Sequence, residues 1–272
     1  MVSNLRGDDR QGAIEAILGA IDGDVVLVDP SPETFRALVD YGTASVDALP
    51  EISVLADEDV LKDVRDDFLV ASDAADLVEA EKMELRVLDG VAENTVFVGA
   101  DDLYALVPAS ESVAALAATD EEFVADAHET FTERFEAAEA FDLRTPGITR
   151  VRETMDEDIG PDARADFDAV LASLETARGN GEGLDEVTIS LLVAAKNEAL
   201  LYDISKWGED IGIASKATFS RTKTELEDMG IIDTEKVPID VGRPRLRLKF
   251  GDTPLADASS DELAAVADRV LN

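Results

Sequence analysis

Residues Leu184–Phe250 read LDEVTISLLVAAKNEALLYDISKWGEDIGIASKATFSRTKTELEDMGIIDTEKVPIDVGRPRLRLKF. Ser215 is a helix N-cap residue type after the turn-like Gly212-Ile213-Ala214, and Gly230 is a usual C-terminal stop, so a helix is expected between them. Within it Phe219, Thr222, Leu226 and Met229 form one apolar-leaning stripe. At about 100° per residue, Ser220, Arg221 and Thr224 point the other way, with Lys216 and Lys223 on the flank. The short apolar strand Ile231-Ile232 follows, then the turn Val241-Gly242-Arg243-Pro244. After it, residues 245–250 alternate strictly: Leu246, Leu248 and Phe250 share one face, and Arg245, Arg247 and Lys249 the other. Upstream, 185–198 and 201–210 read as two helices, with Val187, Leu191, Leu192 and Ala195 inward in the first. Three helices with a tight turn before the third and a hairpin after it describe a winged helix-turn-helix. A polar basic helix beside a hairpin with one basic face suits a DNA major groove and its flanking phosphates.

At first sight the charge balance contradicts that reading. The 272 residues carry 24 Lys plus Arg against 61 Asp plus Glu, a formal net charge of −37. The distribution is uneven, however. Residues 201–250 hold nine basic and nine acidic side chains, so the rest of the chain carries the whole excess. Residues 215–224 and 241–250 contain no acid at all, and two such basic islands are the informative departure in so acidic a chain. The composition looks like that of a cytosolic protein from a salt-accumulating halophile, since concentrated salt cuts the screening length to a few Å and relieves self-repulsion; a mesophilic acidic protein is the alternative. Salt also weakens phosphate attraction, so base contacts, shape and dimer symmetry are expected to matter more than long-range steering.

Absences narrow the chemistry further. There are no cysteines, hence no disulfide framework and no thiolate metal site or nucleophile. His128 is the sole histidine, which excludes a two-histidine metal site and argues against a catalytic relay. No GxGxxG follows a strand and no GxxxxGK[ST] occurs, so no enzyme, cofactor or metal is expected. The polar start and the lack of any apolar run near 18 residues point to a cytoplasmic protein without a membrane partner.

The N-terminal half alternates strands with helices. Asp24–Asp29 is an apolar run between turn residues, expected as a buried parallel-type strand, with helices over 11–21 and 32–41. Further strands are expected at 52–55 and 84–88, and a hairpin at 95–98 and 103–107. Helices are expected over 59–68 and 73–81, the latter with Leu77 and Val78 inward, and over 110–141 as one or two segments. In that last stretch Phe123, Ala127, Phe131 and Phe135 read as core. The fold class is therefore α/β, made of a small mixed-sheet, sensor-like domain, a helical connector and a C-terminal winged helix-turn-helix. The boundaries are 1–143 for an effector or oligomerisation domain, 144–183 for connector and hinge, and 184–272 for the winged helix with a C-terminal helix. Within the connector, 161–178 is helical with Phe167, Val170, Leu171, Leu174 and Ala177 along one seam, and Gly179–Gly183 is the hinge. The final helix, 261–271 capped by Ser260, suits either local packing or a dimer contact.

The residues Leu200-Leu201-Tyr202-Asp203-Ile204-Ser205-Lys206-Trp207-Gly208-Glu209-Asp210 and Ala214-Ser215-Lys216-Ala217-Thr218-Phe219-Ser220-Arg221 resemble the haloarchaeal TbsP transcriptional regulators, over nearly the whole chain. The N-terminal layout is similar to the effector half of TrmB-like sugar-responsive regulators, although there the winged helix precedes the sensor. The resemblance implies a cytoplasmic DNA-binding repressor of central carbon metabolism genes, including gluconeogenesis. On this reading double-stranded promoter DNA is the partner, a homodimer is expected, and the N-terminal half leaves room for a small-molecule effector. Ser220, Arg221 and Thr224 would face the groove. Ser215, Lys216 and Thr218 would bring the helix start to phosphates or base edges. Arg243, Arg245 and Arg247 would form the wing contacts. Lys223 is counted with them, although many winged helices are apolar at that position and its stem would then snorkel past the core. The alternative is a small-molecule-binding or receiver-like signalling protein whose winged helix serves a protein partner. It draws on carboxylates at strand ends, namely Asp29, Asp57 and Asp59.

Overall fold

In β2 (Val25–Val28) all four residues are buried, because both faces of the strand are covered. Val25 and Leu27 point into one apolar cluster with Ile14, Phe35 and Leu38, while Val26 and Val28 point into another with Val98, Leu103, Val124 and Ala127. An uninterrupted apolar run is what two covered faces require. The structure, a computed structural model, describes residues 4–90, 94–109, 112–174, 184–239, 244–259, 262–263 and 265–267. The chain forms two compact units, Met1–Asp66 with Val70–Leu143, and Asp67–Leu69 with Arg144–Asn272.

In the first unit β1 (Leu5–Gly7), α1 (Arg10–Leu18), β2, α2 (Pro32–Ala44), β3 (Ile52–Ala56), α3 (Glu58–Arg65), α4 (Phe68–Glu79, which belongs to this unit from Val70 on) and β4 (Met83–Val87) come first. They are followed by β5 (Val96–Val98), β6 (Leu103–Ala109), β7 (Ser112–Ala117) and α5 (Glu121–Ala137). The seven strands form one sheet in the order β1-β7-β6-β5-β2-β3-β4, with β2, β3 and β4 parallel and β1, β5, β6 and β7 antiparallel to their neighbours. The expected mixed sheet is present. Ser31 caps α2 by accepting from the Thr34 amide at 3.2 Å, with Pro32 at the first helical position.

Three expectations fail here, each for a tertiary reason. Residues 112–117, expected as helix, form β7, which pairs with both β6 and β1 and buries Val113 and Ala115. Its alanine content favours helix, but sheet pairing on two sides outweighs a propensity of a few tenths of a kcal/mol per residue. Phe123 is 56% exposed and Val124 takes the inward position of α5 instead, with Ala127 and Phe135 buried as expected. Val78 likewise faces outward while Leu77 is buried.

The second unit holds α6 (Ile148–Asp158), α7 (Pro161–Ala172), α8 (Glu186–Lys196), α9 (Leu201–Ile211), α10 (Lys216–Asp228), β8 (Ile232–Val237) and β9 (Arg245–Phe250). Where the sequence suggested a connector, α6 and α7 share one apolar cluster with the winged helix. Val151, Met155, Phe167 and Val170 pack in the same core as Leu191, Trp207, Phe219 and Leu248. Trp207 Nε1 donates to Thr154 Oγ1 at 2.9 Å, so the indole's one polar atom is satisfied within that core. Leu263 and Ala267 of the C-terminal segment are buried there too. The expected hinge at 179–183, Ala177 and the cap Ser260 lie outside the described residues.

The helix-turn-helix corner is set by two glycines. Gly212 ends α9 in the left-handed region (φ 92), and the amide of Ile213 returns to Gly208 O at 2.8 Å, a Schellman closure that only glycine enters without strain. At Gly208 a Cβ would lie 2.4 Å from the Phe219 ring, so the absent side chain is what lets α9 and α10 meet. Substituting Gly208→Ala improves helix propensity by about 1 kcal/mol but displaces a buried ring. The expected net loss is about 1–2 kcal/mol of unfolding free energy, measured by urea titration in molar KCl.

Candidate nucleic-acid interface

Helix α10 begins where Ser215 Oγ accepts from the Thr218 amide at 3.1 Å, while the hydroxyls of the same two residues lie 3.0 Å apart. Ser215 and Thr218 are therefore engaged in the cap, and the partial positive charge of the first turn lies at the helix start. Phe219 and Leu226 anchor the helix in the core, and Ser220, Arg221 and Thr224 are exposed on the side away from it. Thr224 Oγ1 donates to Ser220 O at 2.9 Å. Arg221 makes no ion pair among the described residues and extends into solvent. Met229, expected on the apolar stripe, is 57% exposed, because the chain turns at Gly230 and Ile231 fills the core instead.

Lys223, counted among the DNA contacts with a core-directed stem as the alternative, takes the core-directed placement. It is only 8% exposed and lies on the core side of α10. Its ammonium bonds Glu227 Oε2 at 2.6 Å, and Glu227 Oε1 accepts from Thr234 Oγ1 at 2.8 Å. The residue joins α10 to β8 and is removed from the exposed face. At i, i+4 the pair satisfies a nearly buried ammonium locally.

The hairpin has the expected alternation. In β9 Leu248 is fully buried, and Arg245, Arg247 and Lys249 lie on the opposite face, partly exposed. Arg243 lies outside the described residues. Leu248 N also donates to Ala199 O at 2.9 Å, with an isolated bridge between Leu200 and Arg247, so the segment before α9 is tied to the wing.

The basic islands of the sequence are not acid-free in space. Arg245 pairs with Asp203 at 3.1 Å and lies over the Tyr202 ring, 3.8 Å from its centre. Arg247 reaches Glu198 at 3.9 Å. Lys249 pairs with Glu235, and Asp233 and Glu235 stand opposite Lys249 and Arg247 in the strand register. Lys216 binds Glu209 through both its ammonium and its amide, and Lys206 binds Asp210. These contacts hold the Lys216 ammonium above, and the Glu209 carboxyl below, their ordinary values, chiefly through the hydrogen bond between them. Lys206 and Asp210 shift in the same two senses, as do Lys249 and Glu235, for the same reason.

Sequence reasoning missed Tyr202, which is 45% exposed at the start of α9. Its hydroxyl lies within electrostatic reach of Lys206 and Lys216 while its ring supports Arg245. The available signal was an aromatic next to an acid, one residue into a helix otherwise amphipathic. Tyr202 gathers the wing arginine, the start of α10 and the exposed side of α9 into one surface.

In the first unit the strand-end carboxylates do meet. Asp29 is raised above its usual range by burial and then by the nearby Asp57. Asp57, however, caps α3 by accepting from the Asp59 amide at 2.8 Å, and the sheet is antiparallel beyond β2, unlike the all-parallel receiver layout. Among the described residues no group of three or more His, Asp or Glu is placed to hold a metal ion, and no helix is long and apolar enough to cross a membrane. A cleft of about 490 Å³ lies between the β5–β6 turn and α5, lined by Ala100, Asp101, Ala118, Thr119, Glu121, Val124 and Ala125.

Comparison with known proteins divides the chain at nearly the same point as its packing. Residues 2–146 match the family described as transcriptional regulator TbsP-like, N-terminal, and residues 147–268 match transcriptional regulator TbsP-like, C-terminal HTH domain. No curated protein matches the chain in sequence. Among solved structures, TrmBL2, described as an archaeal chromatin protein with a novel mode of DNA binding, is similar at 18% identity and a TM-score of 0.38. That likeness covers 52% of this chain and 54% of that one. The placement of Lys223 has its own test. Lys223→Met is expected to leave DNA affinity within about twofold while lowering stability by about 1 kcal/mol, because Glu227 loses its charged partner. Parallel urea titration and DNA titration check it.

Proposed function

This chain belongs to the TbsP-like transcriptional regulators, and we propose that it is a sequence-specific promoter-binding repressor of central carbon and sugar metabolism genes in a halophilic archaeon, acting as a homodimer. The observation that carries the DNA-binding part is the outward face of α10: Ser220, Arg221 and Thr224 are exposed, and among the described residues no acid holds Arg221. A guanidinium on such a helix matches the O6 and N7 acceptors of guanine in the major groove. Ser215, Lys216 and Thr218 bring the helix start toward phosphates, and Arg245 and Arg247 of the wing take the flanking backbone. The repressing sign and the metabolic targets follow the family resemblance and the acidic, salt-adapted composition. The N-terminal α/β unit is the effector or oligomerisation half.

Genome-wide occupancy with and without sugar tests the assignment, with enrichment expected at promoters of carbon metabolism genes. On the strongest site, Arg221→Ala is expected to cost about 1–3 kcal/mol and to relax discrimination at one base position. Arg245→Ala is expected to weaken all sequences more evenly. A double variant that binds as tightly as the parent would remove this face from DNA recognition. Light scattering in molar KCl is expected to give twice the chain mass, and operator half-sites should lie about one helical turn apart.

A further inference from the structure

Of the eight described cations between residues 201 and 250, six are held by a carboxylate of the same unit, leaving Arg221 and Lys236. Two of the pairs occupy the surface gathered by Tyr202 and each joins two of the elements that form it. Lys216 at the start of α10 is held by Glu209 of α9, and Arg245 of the wing by Asp203 of α9. Both pairs are exposed enough to open: their side chains retain between a third and a half of their accessibility. Exposed pairs of this kind contribute little to stability, so breaking them is no obstacle.

We propose that this surface binds DNA by ion-pair exchange, in which phosphates displace Glu209 from Lys216 and Asp203 from Arg245 and each freed carboxylate takes up a solvent cation. The inference rests on the DNA-binding reading above and specifies how that surface responds to salt. The exchange balances in charge and ions: a paired ammonium or guanidinium and a cation-neutralised phosphate become a cation–phosphate contact and a cation-neutralised carboxylate. A phosphate contact ordinarily releases about 0.9 cation from duplex DNA, which makes affinity fall steeply with salt. Here the carboxylate takes most of that cation back, so each such contact adds little to the salt slope. Binding then persists in concentrated salt without extra contacts. Glu209 and Asp203 are thus residues that set the salt response and themselves touch no DNA.

The test is anisotropy titration of the full chain on a fluorescein-labelled 40-base-pair duplex from its strongest genomic site, across a series of KCl concentrations. Glu209→Gln with Asp203→Asn keeps a hydrogen-bond acceptor at each position but removes the charge that would be neutralised. The slope of log affinity against log salt should become more negative by about 1–2, with each single substitution giving about half. Glu225→Gln with Asp228→Asn serves as the control. It removes the same charge from exposed carboxylates of α10 that hold no cation among the described residues, and its slope should change by less than half as much. Equal slopes for parent and exchange variant, or equal changes in exchange and control variants, would overturn the proposal and leave only general repulsion. A parent that binds no DNA at any salt would sink the DNA-binding reading itself, a result distinct from both. Thermal midpoints of all five proteins, expected within a few degrees of one another, verify that folding is not the variable.

Discussion

The contact between the Phe219 ring and the bare backbone of Gly208 fixes how α10 crosses α9, and the rest of the second unit is built on that crossing. With the ring fully buried against α9, Leu226 must also face inward, and Ser220, Arg221 and Thr224 have only the outward side left. The turn at Gly212 and the cap at Ser215 deliver α10 to that position. Trp207, one residue before Gly208, seats the same part of α9 on α6 through Thr154. The orientation of the exposed face is thus a packing result, produced by apolar side chains that never meet solvent.

Onto this frame the chain places a charge pattern unlike that of an ordinary basic DNA-binding surface. With a net charge of −37, each local cation is surrounded by candidate partners, and most of those in the winged helix have found one. In dilute buffer long-range repulsion would dominate such a molecule; at molar salt the screening length is about 3 Å and only contact pairs survive. The observed pairs are contact pairs. They leave the surface nearly neutral at rest, with Arg221 as the unpaired cation of α10 among the described residues, and this combination favours selective contact over indiscriminate attraction to polyanions.

The N-terminal unit is organised by a different constraint. Its parallel strands β2, β3 and β4 need cover on both faces, supplied by α1 and α2 on one side and α5 on the other, while β5, β6, β7 and β1 extend the sheet by antiparallel pairing. The carboxylate at the end of β3 takes a local structural role, Asp57 capping α3. An acidic chain uses acids even for helix capping, as Asp9, Asp57, Asp120 and Asp185 illustrate.

By itself the sequence determined the winged helix nearly to its boundaries. Its signals there are local: a serine cap, a glycine stop, a turn glycine and strict alternation over 245–250 each act within a few residues. It likewise determined the mixed α/β class, through the unbroken apolar run of β2 and the hairpin turn at 99–102. Tertiary structure decided what those signals could not carry. An alanine-rich segment became β7 because two neighbouring strands were there to pair with it. Helices α6 and α7 joined the winged-helix core because their apolar seams found Trp207 and Leu191 there. Lys223 was drawn inward by Glu227, and the acid-free windows around Lys216 and Arg245 were filled from α9, by Glu209 seven residues before Lys216 and by Asp203 forty-two residues before Arg245. Charge pairing follows distance in three dimensions, so composition along the chain revealed which residues were basic, and the fold determined which of them remain free.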